Sequence, residues 1–394
     1  MILKRGSFLG MARDLINRNS KIVIFGMGVV GCTVTREILR QYNLIDRIVC
    51  CIDNDRLRWN TKIRIGYRDI SILNPNVLNS MEGDITVLIT ISRFFSAYEQ
   101  LKAMGKSDRY SCYIIPAMCV ENFHNEGGKG VIRTTKYPTI PKVIHYMWLG
   151  GKPMPEKLIR CIESWKEFCP DYEIIRWDES NYDVHKNSFV SRAYDNKRYG
   201  FVPDYARLEL LYEFGGIYLD TDVELKKNID ELLFQEAFCS VEKWQVLNFG
   251  GCSGAIKGHK SLEPFLENWV NRSIERCDGS IDCISSGLID TTVAIEMGYL
   301  INGKNQTVNG MNIYTYDYFH PYDYMSGMLE MTSDTFSVHQ FNGGWLDEKT
   351  KNDSMKVLER YKNLMERAER VYDYGSSSKE VSDIQEPNPN TQPL

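Results

Sequence analysis

The run Phe201-Val-Pro-Asp-Tyr-Ala-Arg-Leu-Glu-Leu-Leu-Tyr-Glu-Phe-Gly-Gly-Ile-Tyr-Leu-Asp-Thr-Asp222 dictates a local order of structure that few architectures can accommodate. Its first half has helix-forming composition, Gly215-Gly216 stops that helix, and Ile217-Tyr-Leu reads as a short buried strand. Asp220 and Asp222 then stand one residue apart where the strand ends. A helix passing through a glycine pair into a buried strand belongs to an α/β fold, and such folds bind ligands at the carboxyl ends of their strands. Two carboxylates there can hold a hard divalent cation. Asp204 and Arg207, one helical turn apart just upstream, share a face and can grip hydroxyl groups together.

At 394 residues the chain is long enough for two domains. A hydrophobic content of 43% supports a sizeable core, and a net charge of −5 gives no electrostatic reason to expect a nucleic-acid partner. The 11 cysteines are odd in number and form no C-x-x-C pair, so neither a zinc knuckle nor a redox motif is visible. They read as reduced thiols of a cytoplasmic protein. The longest apolar runs, Ile22–Phe25 and Ile85–Ile91, are too short to span a membrane. Residues 1–20 place Lys4, Arg5, Arg13 and Arg18 around Phe8, Leu9, Leu15 and Ile16, an amphipathic segment with too short an apolar stretch for a signal peptide. Packing on the next domain is preferred for its apolar face, and peripheral contact with anionic lipid at the inner membrane face is the alternative.

Residues 21–125 alternate strand and helix, the rhythm of a parallel sheet. Strands are expected at Lys21–Phe25, Arg47–Ile52, Ile85–Ile91 and Tyr113–Ile115, and helices at Thr33–Tyr42 and Tyr98–Met104. Gly26-x-Gly28-x-x-Gly31 follows the first strand and opens a helix, and Asp53 ends the next strand. That context supports a Rossmann-like turn, with Gly26, Gly28 and Gly31 facing a phosphate and Asp53 a ribose. A structural or oligomerising role for the unit stays equally open, including a homo-oligomer. Tyr98-x-x-x-Lys102 comes too early for a reductase pair and is read as chance. Residues 126–138 form an expected linker, 139–372 a second α/β domain, and 373–394 a polar, disordered tail.

Asp53-Asn-Asp55 is also D-x-D, so the pattern alone decides nothing. Context does: only Asp220-Thr-Asp222 has an arginine–aspartate pair upstream. A sugar nucleotide carries two phosphates whose departure needs charge neutralisation, which Mn²⁺ or Mg²⁺ on carboxylates supplies. A surface acidic turn with a helix salt bridge is the bland alternative. Against it stand Trp148, placed by the strand Ile140-Pro-Lys-Val-Ile-His-Tyr-Met-Trp148 before a glycine turn where it could stack on a base, and His339, a suitable third metal ligand. Trp345 stands with His339 beside a second glycine pair.

These segments together resemble glycosyltransferase family 32, retaining GT-A enzymes with a DXD sugar-binding region that include fungal α-mannosyltransferases and bacterial capsule enzymes. The anchors are Ile140-Pro-Lys-x-Ile-His-x-x-Trp148, then Asp204-x-x-Arg207 through Gly215-Gly216-x-Tyr-x-Asp220-x-Asp222, then His339 and Trp345. The first domain resembles the Rossmann-like module found beside enzymes of surface-sugar synthesis. The resemblance implies a GT-A domain after a Rossmann-like one. It implies that Trp148 stacks on the base, that Asp204 and Arg207 hold the donor sugar, and that Asp222 ligates the metal. Asp220 would touch ribose and reach the metal through water, His339 would complete the shell with Asn342 as a further candidate, and Trp345 would close over the diphosphate. Asp220, Asp222 and Arg207 are the expected catalytic set. The donor would be a UDP- or GDP-sugar and the acceptor a growing surface polysaccharide or lipid-linked glycan. A protein-glycosylating transferase and an inactive nucleotide-binding scaffold are the rivals. Two departures stand out: Gly344 stands where relatives carry serine, so any contact from that hydroxyl is absent, and Ser285-Ser-Gly-Leu occupies the place of a Thr-Gly-Pro loop, which bears on the acceptor. Asn248 and the glycine-rich stretch Phe249–Gly254 are candidates for lining the acceptor side.

Overall fold

A computed structural model describes residues 1–92, 94–104, 109–123, 130–270, 272, 285–341 and 356–371. The chain forms two compact units. The first comprises residues 1–126, 300–303 and 356–394, and the second residues 127–299 and 304–355.

The first unit is an eight-stranded sheet in the order Glu369–Arg370, Ile2–Arg5, Tyr110–Ile114, Ile85–Ile89, Lys21–Phe25, Ile48–Ile52, Arg68–Leu73, Lys62–Ile65. Every neighbouring pair is parallel except the last, an antiparallel edge pair. The central strands Ile85–Ile89 and Tyr110–Ile114 are buried at every position, as strands covered on both faces must be, and their near-continuous apolar sequence reflects it. Lys21–Phe25 lies between Ile48–Ile52 and Ile85–Ile89, so the strand order reverses there, the doubly wound arrangement expected of a Rossmann-like unit.

Three boundaries differ from the sequence expectation. Residues 1–20 are no separate amphipathic segment. They supply a strand, Ile2–Arg5, and a helix, Phe8–Asn17, whose buried face includes Met11, Ala12 and Leu15. Lys4, Arg18 and Tyr113 converge on Asp14, which fixes that helix to the sheet through buried charge pairs. The helix Val357–Glu366, expected in the second domain, lies in the first unit, where Tyr361 meets Phe94 edge to face at 6.2 Å. Residues 130–138, expected as a linker, are bonded into the second unit: Arg133 exchanges two backbone bonds with the Asn312 amide, and Thr135 N–H donates to Phe234 O.

The second unit is a mixed sheet in the order Gln306–Val308, Met311–Tyr314, Ala237–Val241, Ser253–Ala255, Gly216–Tyr218, Val143–Met147, Glu173–Trp177, with Leu247–Asn248 added beside Ala237–Val241. Its core gathers Ile144, Trp165, Ile217, Leu219, Phe238, Phe319 and Phe336. A separate two-stranded ribbon pairs Val223–Leu225 with Ser337–His339. Two strands alone leave one edge of Val223–Leu225 without backbone partners. The helix Glu156–Phe168 supplies them: the Trp165 indole donates to Val223 O at 2.7 Å, and Leu225 N–H donates to Ser164 Oγ at 2.9 Å. Losing either bond would strand a buried polar group, at about 1–3 kcal/mol.

Nine cysteines among the described residues are free, eight of them buried, as their scatter through strands and helices predicts. No described helix is long and apolar enough to cross a membrane.

Candidate active site

The helix Val202–Phe214 is buried on almost every side, so its two charged residues near the start must find partners inside the protein. Arg207 pairs with Asp204 on its own helix, donates from Nε to Pro203 O at 3.0 Å, and reaches Asp220 Oδ2 at 3.6 Å. Burial works against the guanidinium charge, but Asp220 and Asp204 outweigh it and raise the Arg207 pKa. Burial also dominates at Asp204, which is pushed up to about 6 with help from Asp220, against the pull of Arg207.

The helix ends at Gly215, whose φ of 73° is the left-handed cap that side chains resist. Gly216 follows at φ 102°, where a Cβ would sit 2.8 Å from Val143 O and 3.1 Å from the His145 ring. The pair is therefore needed twice, to end the helix and to let the strand Gly216–Tyr218 press against Val143–Met147. His145 stands opposite Tyr218 in that parallel pair, so Trp148 and Asp220 emerge at the same, carboxyl, edge of the sheet. Trp148 is half-buried and donates from Nε1 to Lys152 O at 2.8 Å across the Gly150-Gly151 turn.

Beyond Leu219 the chain turns, with Val223 N–H donating to Asp220 O, and enters the ribbon. Its antiparallel register sets His339 directly opposite Val223, and Gln340 N–H donates to Asp222 O at 3.0 Å. The His339 imidazole thereby reaches Asp222 Oδ1 at 3.2 Å and Asp220 Oδ2 at 3.9 Å. Asp220, Asp222 and His339 each offer a ligand atom, and these atoms all lie within 4.8 Å of one another. Burial pulls the His339 pKa down, but the Asp222 carboxylate more than compensates and raises it. Two carboxylates and an imidazole suit a divalent cation of borderline hardness, and mutual repulsion of the carboxylates is relieved when one binds. His339 Nδ1 is buried with no hydrogen-bond partner among the described residues, and Nε2 is the atom turned to the carboxylates.

The structure thus brings together Asp204, Arg207, Asp220, Asp222 and His339. Asn342 and Trp345 lie outside the described residues. Sequence reading missed the function of Gly250. A Cβ there would fall 2.0 Å from Asp220 Oδ2 and 2.6 Å from Arg207 Nη1, so the absent side chain is the space those groups occupy. Gly251 makes the same room for the His320 ring. The glycine-rich stretch expected on the acceptor side packs against Asp220 and Arg207 at Gly250, and Asn248 is the residue that holds it, accepting from Gly250 N–H and Gly251 N–H.

In the first unit the glycine turn is closely packed at two of its three glycines. Gly26 has φ 100°, and a Cβ at Gly31 would lie 2.1 Å from Gly26 O. Open space surrounds Gly28. Asp53 already accepts from Met27 N–H and Asp55 N–H, one on each carboxylate oxygen. The helix expected from Thr33 begins instead at Val29, breaks at Thr33 after one turn and resumes over Val34–Gln41.

Residues 155–239 match the family model described as "Glycosyltransferase sugar-binding region containing DXD motif". This part of the second unit is similar to the sugar-binding region of DXD glycosyltransferases. The matched stretch contains Asp204, Arg207, Asp220 and Asp222 but ends before His339. The chain is 32% identical over 143 residues to Inositol phosphoceramide mannosyltransferase 3 of Schizosaccharomyces pombe, covering 34% of this chain and 37% of that protein. It is 26% identical over 188 residues to Uncharacterized glycosyltransferase L373 of Acanthamoeba polyphaga mimivirus, covering 46% and 73%. The chain therefore spans little more than a third of the fungal relative. Among solved structures, PaToxG Glycosyltransferase aligns with a TM-score of 0.32 at 19% identity, over 40% of this chain and 68% of that one.

Proposed function

We propose that the second unit transfers a sugar from a nucleoside diphosphate-sugar to a hydroxyl acceptor, with a divalent cation held by Asp222, His339 and Asp220. The observation that carries this reading is the convergence of Asp220, Asp222 and His339 within 4.8 Å, beside the buried Arg207–Asp204 pair. When bound, Mn²⁺ or Mg²⁺ neutralises charge that builds on the departing diphosphate. Arg207, held by carboxylates on both sides, is pre-ordered to orient donor-sugar hydroxyls at no entropic cost during reaction. Trp148, at the same sheet edge, stacks on the nucleobase. The acceptor oxygen bonds to the anomeric carbon on the face from which the diphosphate leaves, and its proton passes to a leaving phosphate oxygen.

The fungal relatives' names make mannose the first donor sugar to try, and a glycan or lipid-linked polyol the first acceptor. Action at the inner face of a membrane is part of the same proposal. A panel of UDP- and GDP-sugars with Mn²⁺ or EDTA, read by nucleotide release, tests it. Release that needs metal and disappears in Asp222→Asn is expected. A folded wild-type protein that releases nothing from any donor would favour the scaffold reading. In the same panel Trp148→Ala raises the donor KM, and an unchanged value rejects stacking.

A further inference from the structure

One buried carboxylate in the second unit has no part in the site as described, yet two separate chains of contacts lead from it to opposite ends of the ligand set. Glu242 lies at the end of the strand Ala237–Val241 and is 9% exposed. Its Oε1 accepts from Asn248 Nδ2 at 2.9 Å, and its Oε2 accepts from the Trp244 indole. Through the first bond it sets Asn248, whose Oδ1 takes Gly250 N–H at 2.8 Å and Gly251 N–H at 3.2 Å. Gly250 O then accepts Asp220 N–H at 2.8 Å. Through the second bond it sets Trp244, whose ring meets Tyr324 at 5.6 Å. Tyr324 meets Phe341 at 5.0 Å, and Phe341 stacks on His339 at 4.1 Å and 20°. Phe341 holds φ at +44°, a conformation costly for an aromatic residue and maintained only by its surroundings.

We infer that Glu242 is a positioning residue for the metal ligands, holding Asp220 through Asn248 and the Gly250–Gly251 loop and His339 through the Trp244–Tyr324–Phe341 rings. The inference rests on the metal-site reading above. Its chemistry is specific because both partners of Glu242 are donors. A carboxylate can accept from both at once, whereas an amide presents one acceptor and one donor. Because Trp244 and Asn248 sit on different oxygens of Glu242, the amide oxygen of Glu242→Gln can stand at only one of them, and its NH₂ then faces the other donor. Turning the Asn248 amide to meet the new N–H would point its own NH₂ at the Gly250 and Gly251 N–H groups. One arm must break. Burial raises the Glu242 pKa to about 7, with the Asn248 and Trp244 bonds pulling the other way, as expected of a carboxylate kept in place for its hydrogen bonds.

The same logic predicts a rescue. In the double variant Glu242→Gln with Asn248→Asp, the glutamine oxygen takes the indole and its NH₂ donates to the new aspartate. That aspartate accepts both glycine amides. Every bond is restored with amide and carboxylate exchanged.

The test titrates Mn²⁺ alone into full-length apo protein by calorimetry or electron paramagnetic resonance, with melting curves in EDTA as the check on folding. Loss of a partner behind a metal site typically weakens metal affinity about 10- to 100-fold. Glu242→Gln and Asn248→Asp are each expected to fall in that range, and the double variant to return within about threefold of wild type. Wild-type affinity in folded Glu242→Gln overturns the inference, as does a double variant no tighter than its weaker single parent. A single variant that does not fold leaves the decision to the double variant, which carries the full bond set. Failure of the wild-type protein to bind Mn²⁺ at all strikes the proposed function instead, and so is distinguishable.

Discussion

Gly250→Ala is the smallest change that attacks the site, and its effect can be worked from distances. Gly250 does not lie at positive φ, so alanine is compatible with its backbone and the consequence is purely steric. The new methyl group would meet Asp220 Oδ2 at 2.0 Å and Arg207 Nη1 at 2.6 Å, whereas ordinary contact begins near 3.4 Å. Clearing it takes about 1.4 Å of movement at Asp220 Oδ2 and about 0.8 Å at Arg207 Nη1. Arg207 is the less able to yield, since its side chain is 7% exposed against 22% for Asp220. The carboxylate therefore swings, well past the roughly 0.5 Å tolerance of a working constellation. A misplacement near 1 Å costs on the order of 10²-fold in rate, or about 2.7 kcal/mol at the transition state. Overpacking adds about 1–3 kcal/mol of destabilisation. The assay is metal-dependent nucleotide release with a parallel Mn²⁺ titration and melting curve. Gly200→Ala is the matched control, because nothing lies within 4 Å of its added methyl. Gly250→Ala with wild-type turnover and metal affinity would refute the claim that the Asp220 position matters.

Two further outcomes are expected. Burial pushes Asp290 up to about 7, with the Trp269 indole bond working against it, so between about pH 4 and 7 the folded protein keeps a proton that the unfolded chain has lost. Stability from this group is thus full below its ordinary value of 3.8 and lost as pH rises through about 7. Asp290→Asn, which keeps an acceptor for the indole, should flatten the fall in Tm between pH 5 and 8, and an unchanged slope would remove Asp290 as a cause. In the first unit, a purely structural role for the glycine turn predicts no saturable heat on calorimetric titration with NAD(H), whereas stoichiometric binding would assign Gly26, Gly28, Gly31 and Asp53 as a cofactor site.

What could be read from sequence was whatever depends on neighbours in the chain. Asp204, Arg207, the Gly215-Gly216 stop, Asp220 and Asp222 sit within one helix, turn and strand, so their relation follows from local periodicity. Trp148 was legible because a parallel strand carries it to the same edge. Gly250 was not, because a missing side chain signals only that space is needed, and the groups that need it, Asp220 and Arg207, belong to a turn and a helix far back in the chain. Glu242 was hidden for a similar reason: an acid between valine and lysine reads as a surface charge until the Trp244 turn folds back over it. The helix Val357–Glu366 was misplaced because an amphipathic pattern shows that a face is buried without naming what buries it.

The ribbon that sets His339 against Val223 has a practical corollary for anyone cutting the gene. The stretch recognised across the family, residues 155–239, encodes both aspartates and neither the imidazole nor the strand that carries it. A fragment trimmed to that stretch would present two like charges with no third ligand and an open backbone edge along Val223–Leu225. It would look right by motif and fail by chelation. Even a single residue gained or lost in Ser337–His339 would turn the imidazole to the opposite face, since alternate side chains in a strand point opposite ways.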